Sequence, residues 1–488
     1  MVTQQATELR YAVRPRVLCR YFGQMCLIVA ALSLMPLLVS LLFGDTSSGL
    51  RYGLVIGVLT AFGFTLARLQ APCRVQANEG MVLVVLIFFI TPLLMAFPMM
   101  SSGMSFMDAF FEAVSGVTTT GLSTKATLAG APPTFLFARA WMQWYGGLGI
   151  VVLSLALIMQ PGLVAKGLAV TETESDDLIG GTRAHARQVL KVYLVLTTLG
   201  VLGSLALGLG FFDALLYTFS AVSTGGFAPS DSSLATVGWP AQVWISLLCL
   251  AGAIPLIFYY RIVVERRPGS VNFLQIQALL SASLVVSLAM AVTLHLNRGM
   301  DWPQVLQHAP LLAISAQTTA GFSSMACSEI DGGSKLILIF SMLVGGGAGS
   351  TAGGFKILRL LIAVNVLRLL LLRSCVPRHA VIEARLTGRR LQDEEIRTAL
   401  LLIVLFVSII VISWLPFVAM GYSPLDSLFE VVSATGTVGL STGLTSTNLP
   451  PLLKGILCLD MLLGRLEIIA WLVMIYPGTW FGNRMEER

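Results

Sequence analysis

Long apolar stretches dominate this chain of 488 residues and leave few folds open to it. Roughly ten of them reach the length of about 20 residues that a helix needs to cross the hydrocarbon layer of a membrane. They cover approximately residues 21–43, 50–70, 80–97, 136–160, 188–211, 241–260, 273–296, 336–372, 398–420 and 452–476. Charged residues make up only 11% of the chain, against about 25% in an ordinary soluble domain. The sequence therefore predicts an all-α polytopic membrane protein and excludes a soluble enzyme, a disordered chain and a coiled coil.

The basic residues predict the orientation of these spans. Lys and Arg cluster in alternate loops, and the largest cluster lies within residues 359–397. Cytoplasmic loops carry an excess of basic residues, so we expect both chain termini on the cytoplasmic side. The first apolar stretch lacks a cleavage site and is interpreted as a retained membrane helix rather than a signal peptide.

Four segments on the opposite, outer side repeat one pattern. They read DAFFEAVSGVTTTGLST from Asp108, DALLYTFSAVSTGGFAP from Asp213, HAPLLAISAQTTAGFSS from His308 and DSLFEVVSATGTVGLST from Asp426. A Ser, a Thr and a Gly occupy matching positions in each segment: Ser115, Thr119 and Gly121; Ser220, Thr224 and Gly226; Ser315, Thr319 and Gly321; Ser433, Thr437 and Gly439. The segments recur about every 100 residues, which indicates an internal repeat.

Each repeat is interpreted as a span, a re-entrant segment and a second span. The apolar part of each repeated segment is too short to cross the membrane, so it is expected to dip in and return. Irregular backbone at membrane depth must be buried in protein or line a water-filled cavity. The pattern predicts four pseudo-symmetric helix–pore loop–helix repeats around one central pore, at 79–165, 166–268, 269–375 and 376–488. Residues 1–78 form an extra N-terminal segment of two transmembrane helices.

The composition of the loops favours a cation pathway. A ring of backbone carbonyls can replace the hydration shell of a cation, and Gly permits the backbone conformations that such a ring needs. The fourth loop contains Thr437-Val438-Gly439, which matches the start of the potassium-channel filter sequence. A short helix before each loop would direct its negative C-terminal end at the ion. The alternative interpretation is that the four segments are only polar surface turns. The equal spacing of Ser, Thr and Gly within all four segments disfavours that interpretation.

The acids at the start of the segments have two compatible interpretations. Asp108, Asp213 and Asp426 are predicted to be helix N-caps. They also predict an acidic vestibule that attracts cations. Glu112 and Glu430 would add to its negative charge.

The chain resembles the TrkH branch of the Trk/Ktr/HKT superfamily of potassium transporters over almost its whole length. The resemblance rests on TTTG at 118–121, QWYGGLG at 143–149, GGGAGSTAGG at 345–354 and LGRLE at 463–467. It implies a homodimer in the bacterial cytoplasmic (inner) membrane and a cytoplasmic nucleotide-binding regulator of the TrkA type. Ser at the first filter glycine goes with sodium transport in the superfamily, so Gly121 favours potassium. His308 departs from the acidic residue of the other repeats.

The resemblance and the repeat together define the candidate site. We expect K⁺, and no covalent cofactor, at the filter residues Thr118, Thr119, Thr120, Gly121, Ser223, Thr224, Gly225, Gly226, Thr318, Thr319, Ala320, Gly321, Thr437, Val438 and Gly439.

The eighth span is long and interrupted by glycine. Six Gly fall within residues 345–354, and Gly inside a helix costs about 1 kcal/mol relative to Ala. Close helix packing through small residues is one interpretation. An unwound intramembrane loop that gates the pore is the other, and the resembling family places a gate here. The candidate gate residues are Gly345, Gly346, Gly347, Ala348, Gly349, Lys356 and Arg465.

Arg465 lies near the middle of the last apolar stretch, where an Arg costs about 2.5–3.5 kcal/mol even on a lenient scale. It either pairs with a buried acid, Asp460 or Glu467, or faces the pore and raises the barrier to a passing cation. The latter predicts that Arg465→Ala increases cation flux.

Two cytoplasmic segments are candidate docking surfaces for the regulator. One is the basic segment 373–397, which has a helical pattern, and the other is the loop 166–188. For the first segment, the alternative is that its basic residues serve only to keep the loop on the cytoplasmic side of the membrane. Beyond the regulator and membrane lipids, we expect no nucleic-acid partner.

Three functions compete at this point. The first is a channel-like pore for potassium uptake. The four matching repeats, of which one has a broken span, favour this function. An alternating-access secondary transporter for a cation or solute, coupled to H⁺ or Na⁺, predicts broken helices in two matching halves. A membrane enzyme would need a cluster of carboxylates or His at membrane depth. The seven Cys and four His show no metal-binding spacing.

Overall fold

The computed structural model describes residues 12–71, 75–158, 178–263, 273–377, 383–386 and 389–481. A pair of helices opens the chain, and the order long helix, short helix, second helix then repeats four times. The N-terminal pair is α1 (Pro15–Leu42) and α2 (Thr46–Ala67). The first repeat has α3 (Ala77–Met99), α4 (Phe106–Val117) and α5 (Pro133–Ile158). The second has α6 (Leu178–Ala206), α7 (Phe211–Val222), α8 (Trp239–Ala253) and α9 (Leu256–Val263).

The third and fourth repeats follow the same order. The third has α10 (Phe273–Arg298), α11 (Trp302–Gln317), α12 (Gly332–Val344) and α13 (Ile357–Cys375). A two-residue hairpin, β1 (Arg385–Leu386) and β2 (Arg389–Arg390), precedes the fourth. That repeat has α14 (Asp393–Ala419), α15 (Pro424–Thr435), α16 (Pro451–Arg465) and α17 (Glu467–Ile475). The prediction of an all-α membrane protein is confirmed.

Within the described residues, six helices are long and apolar enough to cross a membrane by themselves. They comprise α1, α2, and the first helix of each repeat. Their outward faces carry exposed large apolar side chains, for example Leu38, Leu54, Leu284 and Ile412. Such faces suit contact with lipid, because apolar side chains cost nothing there.

In the part of the chain that the structure describes, breaks interrupt the second helix in three repeats, whereas the sequence predicts only one such break. The α8 and α9 axes differ by 88° across Ile254-Pro255. Residues 345–356, the glycine-rich loop, separate α12 from α13. In the fourth repeat the chain breaks at Leu466, and Glu467 has a positive φ of 55°. Proline explains the first break, since it clashes with the preceding turn of a helix.

The four short helices, α4, α7, α11 and α15, are here called the pore helices. Three of their N-caps differ from the prediction. Ser105, Gly210 and Ser423 are the N-cap residues, and the predicted caps Asp108, Asp213 and Asp426 lie in the first turn. The Ser105 side chain accepts a hydrogen bond from the Asp108 backbone nitrogen at 3.2 Å. A carboxylate in the first turn still interacts favourably with the positive end of the helix dipole.

In the first, second and fourth repeats, glycines let the second helix approach the end of its own pore helix. A Cβ on Gly146 would lie 2.1 Å from the Val117 oxygen, and one on Gly464 only 1.8 Å from the Thr435 oxygen. A Cβ on Gly252 would lie 2.6 Å from the Val222 oxygen. The ends of these three pore helices are therefore fixed against their second helices by contacts that exclude any side chain.

Candidate ion pathway

The loop after each pore helix has the same conformation in all four repeats. A main-chain hydrogen bond of 2.7–2.9 Å closes each turn, from Thr120, Gly225, Ala320 and Val438 to the Ser of the repeat pattern. Thr119, Thr224, Thr319 and Thr437 have φ between 49° and 54°. Gly121, Gly226, Gly321 and Gly439 have φ between 72° and 96°. Positive φ at alternate residues turns successive peptide groups toward the same side of the chain.

The four repeat glycines meet in a closed ring. A Cβ built on Gly121 would lie 2.3 Å from the oxygen of Gly225, in the second repeat. The corresponding contacts are Gly226 with the Ala320 oxygen at 2.3 Å, Gly321 with the Val438 oxygen at 2.0 Å, and Gly439 with the Thr120 oxygen at 2.1 Å. Each repeat therefore contacts the next in chain order, and the fourth returns to the first. We call this arrangement the glycine ring.

Gln143 supports the second loop from outside it, a role that the sequence alone does not indicate. Its Nε2 donates to the Gly225 oxygen at 2.5 Å, and its Oε1 accepts from the Phe227 nitrogen at 3.1 Å. The side chain comes from α5 of the first repeat and is fully buried. Its place in the QWYGGLG motif was the available signal, but the partner lies 82 residues away.

Two of the acids at the start of the pore helices are paired with lysines. Asp108 binds Lys454 and Asp426 binds Lys335, with N–O distances of 2.5 and 2.8 Å. Asp213 is exposed, and the His308 ring contacts the Ser324 hydroxyl at 2.9 Å. The charges of Asp108 and Asp426 are therefore compensated, which weakens the expectation of an acidic vestibule.

Glu112 and Glu430 are fully buried and do not add to an exposed acidic surface. Glu112 pairs with Arg139 at 3.1 Å and accepts from the Ser123 hydroxyl. Glu430 accepts four hydrogen bonds of 2.6–3.1 Å, from Ser441, Thr442 and Thr445. Both carboxylates therefore hold the chain that leaves their own filter loop.

The glycine-rich loop lies directly against the filter loops, on the side where the pore helices end. The Gly353 nitrogen donates to the Thr319 hydroxyl at 2.6 Å, and the Gly354 nitrogen donates to the Gly436 oxygen at 3.0 Å. The Thr351 hydroxyl lies 3.0 Å from the oxygens of both Val222 and Gly252. The loop thus contacts the second, third and fourth repeats.

The loop is also joined to the break in the second repeat. Its Gly347 nitrogen donates to the Ala253 oxygen at 3.0 Å, and the Leu256 nitrogen donates to the Gly349 oxygen at 3.3 Å. The two breaks therefore share one hydrogen-bonded unit.

Arg465 lies beside this loop and does not pair with either acid considered from the sequence. Its Nη1 donates to the Thr351 oxygen at 2.6 Å, and its Nε and Nη2 have no partner among the described residues. Asp460 accepts from Ser413, while Glu467 pairs with Arg359 at 2.8 Å. Lys356, at a φ of 72°, donates to the Ala352 oxygen. Three cations thus surround the loop with one carboxylate between them.

The basic segment 373–397 differs from the helical pattern predicted for it. Only its two ends are helical, since α13 ends at Cys375 and α14 begins at Asp393, whereas residues 385–386 and 389–390 between them form the hairpin of β1 and β2. Glu383 accepts from Arg385 at 2.9 Å and lies 3.1 Å from Arg390. The Arg385 hydrogen bond and the Arg390 charge hold the pKa of Glu383 below its ordinary value. Most of the second candidate docking segment, including Lys166 and residues 171–177, lies outside the described residues.

Comparison with known proteins identifies the family. The model of the cation transport protein family TrkH matches residues 58–296 and 271–477. The chain belongs to the TrkH family. It is thus similar to cation transport proteins, and several of its described helices are long and apolar enough to cross a membrane.

Relatives match the chain over nearly its whole length. An uncharacterised cation transporter of Methanocaldococcus jannaschii is 30% identical, with 93% of each chain covered. The Trk system potassium uptake proteins TrkH of Halomonas elongata and Escherichia coli are 29% and 27% identical, with 95% of this chain and 99% of each relative covered. The crystal structure of the potassium transporter TrkH from Vibrio parahaemolyticus has a TM-score of 0.85 at 24% identity. It covers 96% of this chain and 100% of its own, which shows a shared fold.

Proposed function

We propose that this protein takes up K⁺ across the bacterial cytoplasmic membrane through a passage encircled by the glycine ring. The observation that carries the proposal is the closed order of contacts from Gly121 through Gly226 and Gly321 to Gly439. Four loops of equal conformation in a ring can present main-chain oxygens to one ion from all sides. Such oxygens replace the water of a cation without adding fixed charge.

The filter consists of the loop residues predicted from the repeat, from Thr118 to Gly121 and at the matching positions of the other repeats. The relatives from Halomonas elongata and Escherichia coli are named as potassium uptake proteins, and Gly121 is the residue that favours potassium over sodium. With the cytoplasm negative, the membrane potential supplies about 2.3 kcal/mol per charge per 100 mV for inward movement.

The glycine-rich loop is the gate in this proposal. It lies across the ends of three repeats, and its closed position is supported by the hydrogen bonds of Thr351 and Gly353. Arg465 places a cation beside the same loop, so it opposes the passage of K⁺ while the loop is closed. Gly345, Gly346, Gly347, Ala348, Gly349 and Lys356 belong to the moving segment.

The protein acts with partners in this proposal. A cytoplasmic nucleotide-binding subunit of the TrkA type controls the loop, and two copies of the chain form a homodimer within the lipid bilayer. The names of the relatives place them in a Trk system, which supports a regulatory partner. Both termini and the hairpin of β1 and β2 face the cytoplasm.

Alternating access is the competing mechanism, and the positions of the breaks speak against it. That mechanism expects broken helices in two matching halves. The breaks occur instead in the second, third and fourth repeats in succession.

The test is uptake of radiolabelled Rb⁺ into proteoliposomes along an imposed K⁺ gradient, with wild type and two Gly→Ala variants. Gly226→Ala forces a Cβ against the Ala320 oxygen in the ring, at a φ of 78°. Gly208→Ala has a similar φ of 88° but no atom within 4 Å of the new Cβ, so it controls for backbone strain alone. We expect uptake in wild type and Gly208→Ala and its loss in Gly226→Ala. Equal uptake by all three proteins would refute the ring as the pathway, and accumulation against the K⁺ gradient driven by H⁺ or Na⁺ would refute the channel-like mechanism.

A further inference from the structure

We infer that the glycine-rich loop and a cation compete for one set of four threonine hydroxyls. The four are Thr119, Thr224, Thr319 and Thr437, each two residues before a glycine of the ring. The four occupy matching positions of the repeat, and three of them, Thr224, Thr319 and Thr437, lie against the glycine-rich loop. This inference rests on the proposed function and adds that ion occupancy itself opens the gate.

The loop already lies beside the hydroxyls of three repeats. Gly353 donates its N–H to the Thr319 hydroxyl at 2.6 Å. A Cβ on the same glycine would lie 2.2 Å from the Thr437 hydroxyl oxygen. The Thr351 hydroxyl lies 3.4 Å from that of Thr224.

These contacts place the hydroxyls close to one another. Gly353 approaches the hydroxyls of both Thr319 and Thr437, and Thr351, two residues earlier, approaches the hydroxyl of Thr224. These three hydroxyls therefore line the space that residues 351–353 occupy. In the closed position that space is filled by the backbone of Gly353.

Two of the hydroxyls are buried without a partner. Among the described residues, the Oγ1 atoms of Thr119 and Thr437 make no hydrogen bond, although both residues are fully buried. A buried hydroxyl without a partner costs free energy, about 1–3 kcal/mol by mutational data. A bound cation would satisfy both oxygens, because a hydroxyl oxygen has two lone pairs to offer.

Loop and ion therefore exclude each other. The loop stabilises itself through Thr319 and fills the space beside Thr437, so a cation reaches all four hydroxyls only when residues 351–353 withdraw. K⁺ that arrives through the glycine ring thus favours the withdrawn loop. The chemical class of the ligand is a weakly hydrated monovalent cation, since four neutral oxygens carry no charge to offset a second positive charge.

The position of the loop can be measured separately from transport. Ala348→Cys, in a variant of the full chain in which all seven natural Cys are replaced, reports exposure of the loop through its rate of reaction with a maleimide. The rate is measured in detergent over a series of KCl concentrations at constant ionic strength, with N-methylglucamine chloride as the replacement salt. We expect the rate to rise with K⁺. A rate that is independent of K⁺ would overturn the inference, and this comparison requires no change in the filter.

Two isosteric substitutions then have opposite predicted effects. The midpoint is the K⁺ concentration at which the labelling rate has risen by half of its total increase. Thr119→Val removes a hydroxyl that only the ion uses, so this midpoint shifts upward by about three- to tenfold, which corresponds to the free energy of about one hydrogen bond. Thr351→Val removes a hydroxyl that only the loop uses, so the midpoint shifts downward by a similar factor. Thr119→Ser keeps the hydroxyl and restores the wild-type midpoint. Shifts in the same direction, or an unrestored midpoint in Thr119→Ser, would overturn the inference.

Failure of the inference differs from failure of the proposed function. If proteoliposomes with the wild-type protein take up Rb⁺ but the labelling rate of Ala348→Cys does not depend on K⁺, the competition is refuted and the proposed pathway stands. If no uptake occurs through correctly folded protein, the proposed function itself is refuted.

Discussion

Lys454 and Asp108 form a buried ion pair that joins the last repeat to the first, with 2.5 Å between Nζ and Oδ1. Their side chains are 5% and 12% exposed, although 346 residues separate them. Lys335 and Asp426 join the third repeat to the fourth in the same way. Each lysine is the fourth residue of its helix, α16 or α12, and each acid lies in the first turn of the next pore helix. At the matching lysine positions, the first two repeats have Leu136 and Gln242.

Removal of Lys454 should destabilise the protein because Asp108 would stay buried without its cation. We expect Lys454→Met to lower the free energy of unfolding by about 3–5 kcal/mol, the usual cost of breaking a buried pair. Thermal unfolding of the detergent-purified protein measures this. Lys454→Met combined with Asp108→Asn should recover most of the loss.

The second ion pair is the matched control. Asp426 is 31% exposed in its pair, so water stabilises the unpaired carboxylate. Lys335→Met should therefore cost about 1 kcal/mol or less. Equal losses for the two lysine variants would contradict the role of burial.

Gly353→Ala should release the gate. The new Cβ would lie 2.1 Å from the Gly436 oxygen and 2.2 Å from the Thr437 hydroxyl oxygen, so the loop must move away. We expect Rb⁺ flux without the regulator to rise several-fold, as measured in proteoliposomes. Gly57→Ala, in α2, meets no atom within 4 Å and should leave the flux unchanged. A folded Gly353→Ala protein with wild-type or lower flux would show that the loop does not close the pathway.

Arg465→Ala should also raise the flux, because it removes a positive charge and the hydrogen bond to the Thr351 oxygen. We expect about a tenfold increase in Rb⁺ flux, equivalent to about 1.4 kcal/mol in the barrier. Arg465→Lys separates the two causes, since it keeps the charge and should stay near the wild-type flux. Unchanged or reduced flux in folded Arg465→Ala protein would count against a barrier role.

Glu430 should fix the shape of the fourth filter loop. Glu430→Ala leaves the donors of Ser441, Thr442 and Thr445 without their acceptor in a fully buried place. We expect a loss of about 2–4 kcal/mol in unfolding free energy and a lower ratio of Rb⁺ to Na⁺ flux. Glu430→Gln keeps one carbonyl oxygen for these donors and should retain most of the flux ratio. A flux ratio that is unchanged in Glu430→Ala would contradict this role.

The fourfold repeat can be predicted from the sequence because the same residues recur at the same spacing along the chain. Ser115 and Gly121 recur at fixed separation in every repeat, and the structure shows the same turn at each occurrence. The sequence predicts three of the pore-helix starts three residues late, because it places the N-cap at Asp108 and the matching acids instead of at Ser105 and its counterparts. The Ser105-x-x-Asp108 pattern, with an acidic residue three positions after the cap, would have identified the start.

The remaining features depend on tertiary contacts that spacing does not reveal. The bond from Gln143 to Gly225 and the pair of Lys454 with Asp108 join residues from different repeats. The bend at Ile254 had a local signal in Pro255, whereas the break at Leu466 has no proline. There the backbone is held by neighbours, including the Arg359 partner of Glu467.

The most direct test of the central claim is the position of a heavy permeant ion in a crystal of this protein. Rb⁺ replaces K⁺ during crystallisation, and its anomalous signal locates the bound ions. We predict peaks on the axis enclosed by Gly121, Gly226, Gly321 and Gly439, within coordination distance of the main-chain oxygens of all four loops. An empty ring, with Rb⁺ bound elsewhere among the membrane helices, would contradict the account.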